Sequence, residues 1–246
     1  EDCKPRVLVG EGTHLKNVIP NLTKFKSVEH AIESSPGVSS PFISYQEILS
    51  TGKVQRPEVE LTEDDIAQLR YTSGTTGYPK GAIFPHKAIL TTERLTGRPC
   101  QQTQEDVFAT FGIPPGWFMI FGGATLILGG TTAIVPGNTT EQLLETTTKQ
   151  KCTIIFAFPF NYQEMVSRSE EEMKKYDLSS LRLCLTAGAP LSEDILNQFN
   201  HKFGLNIING YGVVETVAWL TLQPLDGTGK FSSVGKVSPG CVIEVV

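Results

Sequence analysis

Eleven consecutive residues, Tyr71-Thr72-Ser73-Gly74-Thr75-Thr76-Gly77-Tyr78-Pro79-Lys80-Gly81, concentrate groups suited to polyphosphate: three glycines, four Ser/Thr hydroxyls and one lysine. Glycines let backbone N–H groups approach anionic oxygens with no Cβ in the way. The hydroxyls of Thr72, Ser73, Thr75 and Thr76 donate further hydrogen bonds or share a metal with the phosphate. Lys80 brings a mobile positive charge. A solvated Gly/Ser/Thr turn is the plainer reading of such a loop, but the density of donors and the closing Pro79-Lys80-Gly81 weigh against it. The Walker pattern is not met. Counted from Gly74, the second glycine arrives too early, Pro79 stands where that pattern needs glycine, and Gly81 stands where it needs Ser or Thr. A nucleotide site of another design is indicated.

Three further stretches follow strand-like runs, where ligands of open parallel sheets bind. In Thr186-Ala187-Gly188-Ala189-Pro190-Leu191 the small residues let a flat base lie against backbone, although a plain strand-to-helix turn accounts for them as well. In Asn209-Gly210-Tyr211-Gly212-Val213-Val214-Glu215-Thr216 an aromatic ring sits between flexible positions, fit for stacking on a base. Glu215 is a hard oxygen ligand for a Mg²⁺ ion that bridges phosphates. The alternatives are a core tyrosine and an acid at a helix start. The third stretch, Gly112 to Phe118, continues into an apolar run. Trp117, Phe118 and Phe121 either line an apolar tunnel or pack a helix on a sheet.

The unbroken Tyr-Thr-Ser-Gly-Thr-Thr-Gly-x-Pro-Lys-Gly stretch resembles the signature loop of the adenylate-forming enzymes: acyl-CoA synthetases, aryl-CoA ligases, beetle luciferases and peptide-synthetase adenylation domains. The segment through Gly188, Ala189 and Pro190 is similar to the family's adenine-lining Gly-Ala-x-Pro-Leu. Residues 210–215 resemble Gly-Tyr-Gly-x-Thr-Glu. The resemblance implies ATP phosphates on Thr72, Ser73, Gly74, Thr75, Thr76, Gly77 and Lys80. It implies adenine or AMP against Gly188, Ala189, Pro190, Asn209, Gly210, Tyr211, Gly212 and Val214, and Mg²⁺ at Glu215 with Thr76. Lys80 and Glu215 are the implied catalytic pair, acting by neutralising charge on the leaving pyrophosphate. Trp117, Phe118 and Phe121 fall where the family borders its acyl pocket.

The implied reaction joins a small carboxylic acid to ATP, giving acyl-adenylate and pyrophosphate; a thiol, usually that of the co-substrate CoA, then displaces AMP. Two departures stand out. Val214 occupies a position where the family usually carries threonine, keeping volume but losing a hydroxyl. The chain is also about half the family's usual length and reads as its middle, without the ribose-binding aspartate motif, the hinge and the small domain with the catalytic lysine. A fragment of an AMP-forming acid–thiol ligase is expected. A truncated, inactive relative serving as a nucleotide-binding or interaction module is the alternative, followed by an unrelated phosphotransferase.

The elements that must position these residues alternate along the chain. Strands are expected at 7–9, 66–71, 82–84, 107–111, 131–135, 153–157, 181–186, 206–208 and 242–246. Helices are expected at 28–34, 45–49, 86–95, 117–128, 140–150 and 161–169, with another capped by Ser192. Short apolar strands alternating with helices imply an α/β fold, a mostly parallel sheet flanked by helices. The resemblance makes it part of a large N-terminal adenylation domain, with the start of a β-rich subdomain at the C-terminal end. The implied division is 1–60 as an incomplete leading part, 61–224 as the nucleotide-binding α/β part and 225–246 as the start of the β-rich part.

Composition narrows the classes further. Across 246 residues the formal charge is −5, and no Lys/Arg cluster makes an electrostatic footprint for nucleic acid. The five cysteines are scattered, with no C-x-x-C, so neither zinc nor a disulfide framework is expected. Buried thiols in a reducing compartment fit better. The longest apolar stretch, 117–128, is shorter than the roughly 20 residues that a membrane span needs, and no signal-peptide pattern opens the chain. A soluble, cytoplasmic protein is expected, with a homodimer left open.

Overall fold

The computed structural model describes residues 2–22, 24–35, 42–72, 77–111 and 118–244. The chain divides into two compact units, Glu1–Leu61 and Thr62–Val246.

The first unit pairs β1 (Val7–Gly10), β2 (His30–Glu33) and β3 (Ile43–Ser44) in parallel, in the order β1-β2-β3. Helices α1 (Gly12–Leu22) and α2 (Tyr45–Thr51) accompany them. The Ser44 hydroxyl accepts from the Glu47 N–H and caps α2, which stops at Gly52. The helix expected over 28–34 is instead β2. A stretch this short does not hold a helix by itself, and pairing Val7 with His30 and Val9 with Ile32 satisfies its backbone.

The second unit begins with an antiparallel hairpin, β4 (Ile66–Thr72) and β5 (Lys80–Pro85). After it come α3 (His86–Thr92), which runs on into a π-helical turn at Glu93–Gly97, and β6 (Val107–Phe111). A second π-helical turn, Phe118–Gly122, leads into α4 (Gly123–Ile127), then β7 (Thr131–Val135), α5 (Thr140–Gln150) and β8 (Ile154–Phe156). Helices α6 (Pro159–Ser167) and α7 (Glu170–Met173) precede β9 (Leu183–Thr186), and α8 (Glu193–Phe203) precedes β10 (Ile207–Tyr211). The short strands β11 (Thr221–Leu222) and β12 (Lys236–Val237) end the sheet. Its order is β12-β11-β10-β9-β8-β6-β7. The pairs from β10 to β7 are parallel, and β11 and β12 join antiparallel.

Side chains alternate across this sheet, as period-two strands buried on both faces require. Ala109, Phe111, Ile155, Cys184 and Ile207 point to one core with Leu143, Tyr162, Met165 and Phe199. Phe108, Ile154, Phe156, Leu183, Leu185 and Ile208 point to the other, with Ile120, Phe121 and Trp219. Helix α5 starts on a full capping box between Thr139 and Gln142. Ser192 caps α8 through the Ile195 N–H, and Gly204 ends that helix in the left-handed region. The helix read as 161–169 is α6, Pro159–Ser167; beyond it Ser169 forms a capping box with Glu172 and starts α7. Residues 242–244, expected in a strand, lie in none.

At the amino ends of the strands one buried acid ties three elements together. Asp106 Oδ1 accepts from Arg182 Nε at 2.8 Å and from the Thr153 hydroxyl at 2.6 Å. Its Oδ2 accepts from Arg182 Nη2 at 2.6 Å and from the Thr103 N–H at 2.8 Å. Burial alone would raise this carboxyl, but the bonds from Arg182, Thr153 and Thr103, with the charge of Arg182, outweigh it and hold the acid down to about 2. The clamp leaves the carboxyl ends of the strands free for a ligand.

Candidate functional site

The signature loop is slung between the ends of β4 and β5. Thr72 faces Lys80 and Tyr71 faces Gly81 across the hairpin, so the loop leaves and re-enters the ladder at Thr72 and Lys80. Ser73, Gly74, Thr75 and Thr76 lie outside the described residues. Gly77 takes φ +88°, a conformation that costs glycine little. Gly81 has its own constraint: a Cβ there would stand 3.1 Å from the Tyr71 ring, so that ring lies across it. Lys80 is exposed and Thr72 half-buried.

The other segments sit at the carboxyl end of the large sheet. Strands β9 and β10 are parallel neighbours with Thr186 opposite Asn209. The residues that follow them therefore emerge side by side, about 5 Å apart. Gly188, Ala189 and Pro190 are exposed between buried Ala187 and Leu191. Gly188 has φ +89° with open space where a Cβ would be, so the three residues form a bare backbone shelf. Asn209, Gly210 and Tyr211 are the last residues of β10, not a loop after it. Asn209 is tied to Gln223, whose Oε1 accepts from its N–H at 3.0 Å. Gly210 is required by packing: a Cβ there would fall inside the indole of Trp219. Tyr211 is 47% exposed, so its ring is available and is not a core residue. Gly212 passes the carbonyl of Ala218 too closely for a side chain.

Val214 and Glu215 lie exposed on a single 3₁₀ turn, Val214–Thr216. The turn is held by the Thr216 hydroxyl on the Val213 carbonyl at 2.9 Å. It ends at Val217, a buried β-branched residue at φ +59°. Positive φ is rare for such a side chain and marks stored strain. Strand β5 and this turn approach within 8 Å between Cα atoms. The fold thus brings the strand that begins with Lys80 beside the turn that carries Glu215, although more than a hundred residues separate them. No group of three or more His, Cys, Asp or Glu side chains able to hold a metal occurs among the described residues. Glu215 alone fits a Mg²⁺ ion held mainly by phosphate oxygens, as that ion commonly is.

The aromatic stretch is placed differently. Trp117 lies outside the described residues, and Phe118 opens the π-helical turn. Phe121 is 2% exposed and stacks on Phe156 at 4.2 Å, with Trp219 at 5.1 Å. It packs helix on sheet, the alternative that the sequence left open. The three buried cysteines offer no nucleophile. Burial raises Cys100 and Cys184 to about 12 and Cys152 to about 11. All five are free.

Two residues near the site escaped the sequence reading. Trp219 walls the carboxyl end behind Gly210, and its buried Nε1 has no hydrogen-bond partner among the described residues. Arg70 is buried on the inner face of the hairpin. The signal for it was a polar set, Gln68-Arg70-Thr72, alternating with Ala67-Leu69-Tyr71.

No helix among the described residues is long and apolar enough to cross a membrane. The sequence pattern of the family described as AMP-binding enzyme matches residues 1–246. The chain is similar to the uncharacterized acyl–CoA ligase YtcI of Bacillus subtilis, 32% identical over 198 residues that make up 76% of this chain and 36% of that protein. It is 28% identical to the 4-hydroxybenzoate–CoA/benzoate–CoA ligase of Rhodopseudomonas palustris, covering 100% of this chain and 46% of that one. Among solved structures, the anthranilate CoA ligase AuaEII in complex with anthranoyl-AMP superposes with a TM-score of 0.85 at 26% identity, over 97% of this chain and 46% of that one. The luciferase-like enzyme of the mealworm Zophobas morio gives 0.79 at 28% identity, over 96% of this chain and 56% of that one. The chain thus spans less than half the length of both ligase relatives. With its α/β sheet and signature loop, it belongs to the AMP-binding enzyme family, the adenylate-forming superfamily.

Proposed function

We propose that this chain is the nucleotide-handling part of an AMP-forming acid–thiol ligase, which activates a carboxylic acid as its adenylate. The observation that carries the proposal is the approach of β5, the strand that begins with Lys80, to the Val214–Thr216 turn, which carries Glu215. The assigned roles are those that the family resemblance implies. Thr72, Gly77 and Lys80, with residues 73–76, are assigned to the phosphates. Gly188 to Pro190 form the shelf for adenine, and Tyr211 stacks on it. Glu215, with Thr76, would hold Mg²⁺, which would supply charge neutralisation to the polyphosphate. The acid carboxylate attacks the α-phosphorus, the bond to the bridging oxygen breaks, and pyrophosphate departs with the electron pair. Lys80 and the loop donors stabilise that leaving charge. CoA is the assigned acceptor. Residues 61–224 are the assigned nucleotide-binding part and 225–246 the start of a β-rich part, in a cytoplasmic protein.

A non-reactive acyl-adenylate mimic, an acyl-sulfamoyl adenosine, tests acid activation without requiring turnover. Across a set with aryl and fatty acyl groups, at least one member should bind well above AMP and above its parent acid, because one molecule then fills both subsites. If every acyl group binds like AMP alone, acid activation is the wrong reading. The exposed Val214 favours a second reading, a nucleotide-binding relative with weak chemistry. Such a protein would bind the same mimic while failing pyrophosphate exchange with every acid.

A further inference from the structure

The hairpin beneath the signature loop holds a cation with almost nothing to hold it. Arg70 is 7% exposed. Its Nε donates to Gln68 Oε1 at 2.9 Å, and its guanidinium carbon stands 4.7 Å from the Phe84 ring centroid. Both terminal nitrogens are buried without a hydrogen-bond partner among the described residues. Burial disfavours the charge, pulling the group below its ordinary value. A buried guanidinium with most of its donors unmet is costly, so an anionic partner would be strongly favoured there. Helix α3, packed on the hairpin, carries no acid between His86 and Thr92.

Register shows where that partner would arrive. Arg70 faces Ala82, and the next pair along the same face is Thr72 with Lys80, at the mouth of the loop. Two residues of strand make about 7 Å, a step that an arginine side chain spans. We propose that Arg70 is a second cation of the phosphate site, resting on Phe84 and Gln68 in the empty protein and swinging toward Lys80 when a pyrophosphate group enters. The ligand class is a polyphosphate: the β- and γ-phosphates of a nucleotide, or free pyrophosphate. A planar fork matches two phosphate oxygens at once. The assignment rests on the nucleotide-binding reading above.

Calorimetric titration of inorganic pyrophosphate, ATP and AMP into the wild-type chain, Arg70→Met and Arg70→Lys tests it. Arg70→Met should weaken pyrophosphate and ATP at least tenfold and leave AMP unchanged. Arg70→Lys should recover part of the loss. The melting temperature of ligand-free Arg70→Met should be equal to or above that of the wild type, since an unsatisfied buried charge has been removed. Pyrophosphate affinity within twofold of wild type, or an equal loss for AMP, overturns the assignment. So does a lowered ligand-free melting temperature, the mark of a purely structural arginine. A measurement on the unaltered chain does not depend on how the variants fold. In protein labelled with ¹⁵N-arginine, the Arg70 Nε–H resonance should shift as pyrophosphate is added, and an unmoved resonance overturns the proposal. If ATP binds in a Lys80-dependent way while Arg70→Met behaves as wild type, only the role of Arg70 falls. If the wild type binds neither ATP nor pyrophosphate, the nucleotide reading falls with it.

Discussion

Replacing Arg182 with methionine removes both guanidinium bonds to Asp106 and leaves that carboxylate, with a side chain 4% exposed, to Thr153 and Thr103 alone. Removing one partner of a fully buried pair costs about 3–5 kcal/mol. The Arg182 side chain is itself 38% exposed and two other donors remain, so about 2–3 kcal/mol is expected at neutral pH. For a unit of this size that lowers the melting temperature by about 5–10 °C. The pH dependence follows from the depressed carboxyl. A folded value of about 2 against the ordinary 3.8 stabilises the protein above the unfolded value, and the contribution is lost as pH falls through the folded one. It amounts to about 2 kcal/mol. Urea unfolding of wild type and variant between pH 7 and pH 2 should therefore show a stability gap that is full at pH 7 and closes over pH 4 to 2. A gap that stays constant across that range, or never exceeds about 0.5 kcal/mol, would refute the clamp as the support of the sheet.

Three further outcomes are expected. Gly210→Ala collides with the Trp219 indole and should cost about 2–4 kcal/mol by overpacking, with a shift in tryptophan emission; a silent substitution would contradict the close packing behind the site. Val214→Thr supplies the hydroxyl usual in the family at a residue assigned to AMP, worth about 1.5–3 kcal/mol if it bonds to a charged phosphate oxygen, and should raise pyrophosphate exchange ten- to a hundredfold in an otherwise complete enzyme; no gain would show that the missing hydroxyl does not limit the chemistry. Titration with a thiol reagent should label Cys3 and Cys241 in the folded chain and spare Cys100, Cys152 and Cys184, which are buried; rapid labelling of all five would contradict the core.

Much of the large sheet was legible because its strands are apolar on both faces and bounded by turn residues. Val107–Phe111, Thr131–Val135 and Thr140–Gln150 match the sequence reading to the residue. Elements decided by pairing were not legible. β2 owes its form to β1. β11 and β12, two residues each, exist through the antiparallel pairing that joins them to β10. Helix α1 was hidden because it opens on Gly12 and holds Pro20, both poor helix signals. The site showed the same division. Its loops announced themselves by glycine, hydroxyl and charge. Arg70 did not, because hydropathy alternation alone buries Leu69 and Tyr71, whereas the hairpin turns Arg70 inward and leaves those two exposed. Trp219 was invisible as a wall until Gly210 was seen to lie against it.

The central claim is that one nucleotide joins the hairpin to the turn. Titration of Mg·ATP into the purified chain, its Lys80→Ala variant and its Glu215→Gln variant tests it most directly. Losing a charge-assisted contact costs about 1.5–3 kcal/mol, or roughly ten- to a hundredfold in affinity. Lys80→Ala should weaken ATP by that amount with or without Mg²⁺, and Glu215→Gln should weaken it only when Mg²⁺ is present. ATP affinity unchanged by Lys80→Ala, or a Glu215→Gln effect indifferent to Mg²⁺, would contradict the account.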